Sequence, residues 1–181
     1  MKPKSNRKPG KLDNCQTPPY ALTPLIPYLK AANIHQIWEP ARGEMYLADA
    51  LSRAEFSVVA TDITDGDYYD FFHYDVRHDD KKFDAIVTNP PYSMKYSWVK
   101  RCYELGKPWA LLMPVEMLGT VGGGDMFDRY GVQTMMLRPR VNFKMPNKGW
   151  DGKGAQFPVA WYTWRLHLPK DLMFKRIYRD G

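Results

Sequence analysis

A doubly wound α/β sheet, mostly parallel and finished by an antiparallel C-terminal hairpin, is the fold this sequence predicts. Two patterns predict it. Short β-branched or apolar runs alternate with stretches of helical spacing through most of the chain, which is the signature of βαβ units and a parallel sheet. The last two runs, "VQTMML" and "FPVAWYTWRL", have no helical stretch between them. They therefore pair as an antiparallel hairpin across a long connection at 138–157 and form an antiparallel edge.

The elements follow in order. In "CQTPPYALTPLIPYLKAA", Thr23 and Pro24 read as the N-cap and first residue of a helix running toward Ala32. "HQIW" (35–38) is a short strand ending at "EPARGEM", and "YLADALSRA" has helical spacing through Met45, Ala48, Leu51 and Ala54. "FSVVATDI" (56–63) is a strand ending on Asp62. The polar segment 64–82 holds at most a short strand near Tyr74 to Arg77. "FDAIVTN" (83–89) is the clearest strand, "SWVKRCYEL" a helix, and "WALLMPV" (109–115) a buried strand. A glycine-rich stretch, "GTVGGGDMFDRYG", precedes the hairpin, and "KDLMFKRIYRD" reads as a basic amphipathic terminal helix.

At 181 residues and 44% apolar content, the chain has the size and composition of one soluble globular domain with a well-buried core. No apolar run reaches the roughly 18 residues of a membrane span. Residues 1–14 read as a flexible basic arm rather than a signal peptide, and 15–181 as the catalytic domain. Cys15 and Cys102 form no CxxC pair, and His35, His73, His78 and His167 have no ligand spacing. That argues for a reducing, cytoplasmic setting with neither a disulfide framework nor a metal. "DITDGDYYD" lacks the glycine and glutamate placement of a calcium loop. The net charge of +6 suits a polyanionic partner.

Three features fall at the carboxyl ends of separate strands, the edge where open α/β sheets bind ligands. "EPARGEM" follows the first strand, Asp62 ends the second, and "NPPY" (Asn89, Pro90, Pro91, Tyr92) follows "AIVT". A single glycine, Gly43, is not a full dinucleotide fingerprint. Asp62, about 20 residues further on, stands where a nucleotide-binding sheet places its ribose carboxylate.

With these motifs the chain resembles the S-adenosylmethionine-dependent amino-methyltransferases that modify exocyclic amines of DNA bases, from about Cys15 to Arg165. The resemblance implies a single Rossmann-like class I methyltransferase domain with S-adenosylmethionine as cofactor and DNA as partner. "EPARGEM" resembles the methionine-binding motif, which implies Glu39, Pro40, Ala41, Gly43 and Met45 as cofactor contacts. "ATDI" resembles the ribose-binding strand end (Asp62, Ile63), and "DFF" the adenine-contacting motif (Asp70, Phe71). "CQTPPYALTPLIPYL" resembles the motif that closes over the cofactor, through Thr17 and Pro18. "NPPY" resembles the catalytic motif, with Asn89 also near the cofactor. The motif order resembles the gamma arrangement, and the small size resembles compact orphan adenine methyltransferases of phages and prophages. Arg42 and Glu44 flank a single glycine here, and no separate target-recognition domain follows NPPY.

The chemistry explains why such a motif is useful. An exocyclic amine is a poor nucleophile because its lone pair is delocalised into the ring. Two acceptors aimed at its two N–H bonds favour a tetrahedral nitrogen and stabilise the charge that develops. The Asn89 side-chain oxygen and the Pro90 carbonyl are the candidates, and the prolines fix the backbone beforehand. Tyr92 offers a stacking face for a flipped base. Lys144, Lys148, Trp150 and Lys153 are candidate nucleic-acid contacts, and loops 119–131 and 138–156 candidate base readers. Cytosine, RNA adenine and a protein glutamine amide stay open as substrates, as does an inactive nucleic-acid-binding protein.

Overall fold

Seven strands pair into one sheet in the computed structural model, which describes residues 13–66, 69–73, 82–145 and 157–179. They are β1 (Gln36–Glu39), β2 (Ser57–Ala60), β3 (Ala85–Thr88), β4 (Trp109–Pro114), β5 (Gln133–Arg138), β6 (Val159–Trp164) and β7 (Leu172–Arg176). The helices are α1 (Ile26–Ala31), α2 (Tyr46–Arg53), α3 (Lys95–Leu105) and α4 (Val121–Tyr130). The expected strand near Tyr74 and most of the N-terminal arm lie outside the described residues.

The strand order is β2-β1-β3-β4-β6-β5-β7. β1, β2, β3 and β4 are mutually parallel, and the chain steps from β1 outward to β2 and then back across β1 to β3. That reversal is a topological switch point between β1 and β3. The direction of winding buries both faces. Leu29 of α1 and Leu47 and Leu51 of α2 join Ile37, Val87 and Leu112 on one side. Trp98, Val99 and Cys102 of α3 and Phe127 of α4 join Trp38, Ile86 and Leu111 on the other. β4 is buried at every position, hence its unbroken apolar run.

The expected hairpin forms, with β5 and β6 antiparallel from Gln133↔Thr163 to Met136↔Ala160. Its place differs from the expected edge. β6 is antiparallel to β4 as well and sits between β4 and β5. The edge is β7, parallel to β5, where the sequence predicts a helix. Exposure alternates along β7, and Met173 packs into the core. A helix there would have left the outer backbone groups of β5 unpaired.

Two other expectations shift. α1 begins at Ile26 rather than Pro24, because Pro27 lacks an N–H and is tolerated only in a first turn. The stretch 119–131 is mostly α4, not a base-reading loop. Thr120 caps it by accepting from the Gly123 N–H at 3.2 Å. A Cβ on Gly123 would run into the Met117 carbonyl, so this glycine permits close packing rather than flexibility.

Candidate active site

The carboxyl ends of β1, β2 and β3 form the floor of a cavity of about 560 Å³. Glu39, the last residue of β1, is 1% exposed, and its carboxylate accepts from the Ala41 N–H at 3.0 Å and from the Thr88 hydroxyl. Burial pushes its pKa up to about 8, against the pull of those two hydrogen bonds, and the charge of Asp62 adds to the rise. Asp62 ties two turns together. One oxygen accepts from the Thr64 N–H and hydroxyl at 3.0 and 2.8 Å, and the other from the Gly43 N–H at 3.2 Å. Arg42 forks onto Asp65, so its guanidinium is already paired.

Residues 13–17 pass over this floor as a strap. Gln16 and Lys144 exchange backbone hydrogen bonds at 2.9 and 3.1 Å. The Gln16 side chain accepts from the Glu44 N–H at 2.9 Å. Gly43 permits that approach, since a Cβ there would lie 2.6 Å from Gln16 Oε1 and its φ is +49°. Thr17 is 3% exposed, and its hydroxyl is a buried polar atom with no partner among the described residues.

One end of the cavity is aromatic. Asp70 folds its own loop by accepting from the Phe72 N–H at 3.0 Å and bonding His73 Nδ1 at 2.7 Å. This sets Phe71 face to face with Trp98 of α3, centroids 4.0 Å apart and planes 10° from parallel. Phe72 and Ile63 complete the apolar wall, and Ile63 is 52% exposed.

At the other end, β3 stops at Thr88 and Asn89 enters the wall. Asn89 Nδ2 donates to the Cys15 carbonyl at 3.3 Å. A carbonyl only accepts, so this contact settles which end of the amide is which. Asn89 Oδ1 is left as a buried acceptor with no partner among the described residues. Pro90 is buried behind it, Pro91 holds φ −56°, and Tyr92–Met94 make one 3-10 turn into α3. The Tyr92 ring is half-buried and meets Phe157 edge-on at 5.8 Å. Its hydroxyl points inward, fully buried and without a partner among the described residues, and desolvation raises its pKa well above the usual phenol value.

Of the residues singled out from sequence, Thr17, Glu39, Pro40, Ala41, Gly43, Asp62, Ile63, Asp70, Phe71, Asn89 and Pro91 line one cavity. Pro18, Met45, Pro90 and Tyr92 are not among its lining residues. Lys144 is engaged by Glu44 at 2.5 Å and lies over the Tyr46 ring. Lys148, Trp150 and Lys153 fall outside the described residues. The wall also holds residues that the sequence did not single out. Asp13 and Asn14, assigned to the basic arm, line the cavity with Ser93, Met94 and Trp98. Trp98 sits on an apolar helix face that reads as ordinary core.

The lining carboxylates are Asp13, Glu39, Asp62 and Asp70, and Arg42 is the cationic side chain among the described lining residues. An acidic cavity inside a chain of net charge +6 is a marked separation of charge. It disfavours polyphosphate ligands and favours a cationic one.

No protein-family model matches the sequence, and neither does any curated protein. Among solved structures, one described as a "putative class I S-adenosylmethionine-dependent methyltransferase" from Listeria monocytogenes matches with a TM-score of 0.55 at 10% identity. The match covers 96% of this chain and 68% of that one. A predicted O-methyltransferase from Agrobacterium tumefaciens matches at a TM-score of 0.34 and 16% identity, over 78% of this chain and 66% of that one, too slight to bear on the fold. The Listeria match identifies the architecture: a Rossmann-like, class I methyltransferase fold.

Proposed function

We propose that the protein is an S-adenosylmethionine-dependent DNA methyltransferase acting on the 6-amino group of adenine. The observation that carries this reading is Asn89 Oδ1, a buried acceptor without a partner among the described residues at the carboxyl end of β3, in the wall of an acidic cavity.

The residues present suit the cofactor. A cavity of about 560 Å³ falls within the range that buries drug-sized ligands, about 300–1,000 Å³. Its carboxylates suit a ligand carrying an ammonium and a sulfonium, and the Thr17 hydroxyl, without a partner among the described residues, can serve the ligand's polar end. Glu39 and the 40–43 turn would hold the amino-acid end, Asp62 the ribose hydroxyls, and Ile63, Phe71 and Phe72 the adenine ring, with Asp70 at its edge. When bound, the cofactor supplies an electrophilic methyl group.

The protein's own part is to make the base nitrogen nucleophilic. Asn89 Oδ1 accepts one N–H bond of the amine, and the Pro90 carbonyl accepts the other. Both oxygens gain strength as positive charge builds on nitrogen. Pro91 and the 3-10 turn hold this jaw in place before the base arrives. The half-buried Tyr92 ring gives the extruded base a stacking face, worth about 1–3 kcal/mol. The proton leaves after the nitrogen has gained its charge, so no strong general base is required. Outside the cavity the net positive charge favours a polyanion.

Incubation with S-adenosylmethionine and mixed-sequence DNA, then digestion to nucleosides and mass spectrometry, tests the proposal. N6-methyladenine is expected. Methylcytosine alone reassigns the base, equal turnover of RNA removes the DNA preference, and no methylation of any nucleic acid rejects the reading.

A further inference from the structure

The strap does more than cover the cavity: we infer that Asp13, through Ser93, positions the Asn89 amide. This rests on the reading of Asn89 given above and deepens it. Asp13 Oδ1 accepts from the Ser93 N–H at 3.0 Å, and Oδ2 accepts from the Ser93 hydroxyl at 2.6 Å. Ser93 lies inside the 3-10 turn that follows Pro91. The carboxylate thus clips the strap to the turn that directly follows the Asn89–Pro91 segment. Two residues along the strap, the Cys15 carbonyl accepts from Asn89 Nδ2.

The geometry has a chemical consequence. The two ends of an asparagine amide have nearly the same shape and opposite hydrogen-bonding character. If the amide turned over, it would aim two N–H donors at an amine that also donates, and the jaw would repel what it must hold. The Cys15 carbonyl is the described contact that selects the productive orientation, and it can do so only while the strap lies flat. Asp13 fixes one end of that short span, and Gln16 the other through its backbone pairing with Lys144. Residues 74 and 80 positions apart therefore act together. Asp13 is a positioning residue here: it reaches the amine only through Cys15 and Asn89.

The test uses the full-length protein with Asp13→Ala, Ser93→Ala and the pair combined. One arm is independent of methyl transfer. The side-chain amide signals of Asn89, assigned by their loss in Asn89→Asp, are followed by NMR hydrogen exchange. Faster exchange in Asp13→Ala by tenfold or more is expected, with a melting temperature close to wild type. The second arm measures single-turnover methylation at saturating cofactor and DNA. A rate about tenfold lower is expected even at saturating cofactor, so that any loss of cofactor affinity from removing this lining carboxylate does not enter the reading. Ser93→Ala keeps the backbone contact and falls between, and the double variant is no slower than Asp13→Ala. Unchanged amide exchange in Asp13→Ala overturns the inference, as does a loss confined to KM or cofactor affinity. A wild-type protein that methylates no nucleic acid rejects the substrate reading instead, and the exchange arm still decides the role of Asp13.

Discussion

The Thr88 hydroxyl donates to the buried Glu39 carboxylate across the switch point between β1 and β3. This contact links the strand carrying the proposed methionine contacts to the strand carrying Asn89. It also sets a proton problem. With burial as the leading cause, the Glu39 pKa stands at about 8, above its ordinary value of 4.5. At neutral pH the ligand-free carboxyl therefore holds its proton. A cation in the cavity favours the ionised form, so cofactor binding beside Glu39 should expel that proton.

The sign is fixed by linkage. Between pH 4.5 and 8 the free folded protein binds more protons at Glu39 than the unfolded chain, so the stability from this group declines as pH rises through that window. Cofactor affinity moves the other way, rising by up to about tenfold per unit between pH 6 and 8. Calorimetry of cofactor binding at pH 7, in buffers of different ionisation enthalpy, should report release of nearly one proton. Glu39→Gln should abolish it. Identical enthalpies in all buffers for the wild type would mean that Glu39 does not face the cation.

Asn89→Ala separates binding from chemistry. The side chain lines the cavity and is held by the Cys15 carbonyl, while the proposed cofactor contacts come from the ends of β1 and β2 and from the Phe71 loop. Cofactor affinity should change by less than about fivefold, while loss of one preorganised acceptor should lower methyl transfer by about 10²–10³-fold. Calorimetry and single-turnover kinetics on one preparation check both. Turnover like wild type sinks the assigned role.

The strand ends that build the floor were legible because each polar residue stops an apolar run: Glu39 after "QIW", Asp62 after "SVVAT", Asn89 after "AIVT". Order along the chain then places all three on one edge of a parallel sheet. Contacts made through tertiary folding left no such trace. Asp13 meets Ser93 across 80 residues, and nothing in "KLDNCQ" marks it as other than the end of a basic arm. Trp98 shares its helical face with Val99 and Cys102 and reads as core, which it also is. β7 misleads for the opposite reason. Its five residues are too few to separate a period of 2 from one of 3.6, and its charges resemble a surface helix.

Gly43→Ala should weaken the cofactor site through the strap. The new methyl group would stand 2.6 Å from Gln16 Oε1, on a backbone already at φ +49°. The left-handed conformation alone costs about 1–2 kcal/mol for a residue with a Cβ, and Gln16 must release the Glu44 N–H to make room. Cofactor affinity should fall by about tenfold or more, with a modest drop in melting temperature. Adding Gln16→Ala relieves the collision but not the φ strain, so the pair should recover affinity only in part. Full recovery would assign the whole effect to the collision.

Tyr92 separates its ring from its hydroxyl. The buried hydroxyl, without a partner among the described residues, carries a desolvation penalty of about 1–3 kcal/mol. Tyr92→Phe removes that group and keeps the face available for stacking. It should leave stability unchanged or raised, with methyl transfer within about threefold of wild type. Tyr92→Ala removes the face. The KM for DNA, or the affinity for an oligonucleotide holding an extruded base, should worsen by about 10- to 100-fold, matching the 1–3 kcal/mol of a stacked base. Cofactor affinity should be untouched, since Tyr92 is not among the lining residues. A Tyr92→Phe protein that folds but has lost methyl transfer would show that the hydroxyl finds its partner on the substrate.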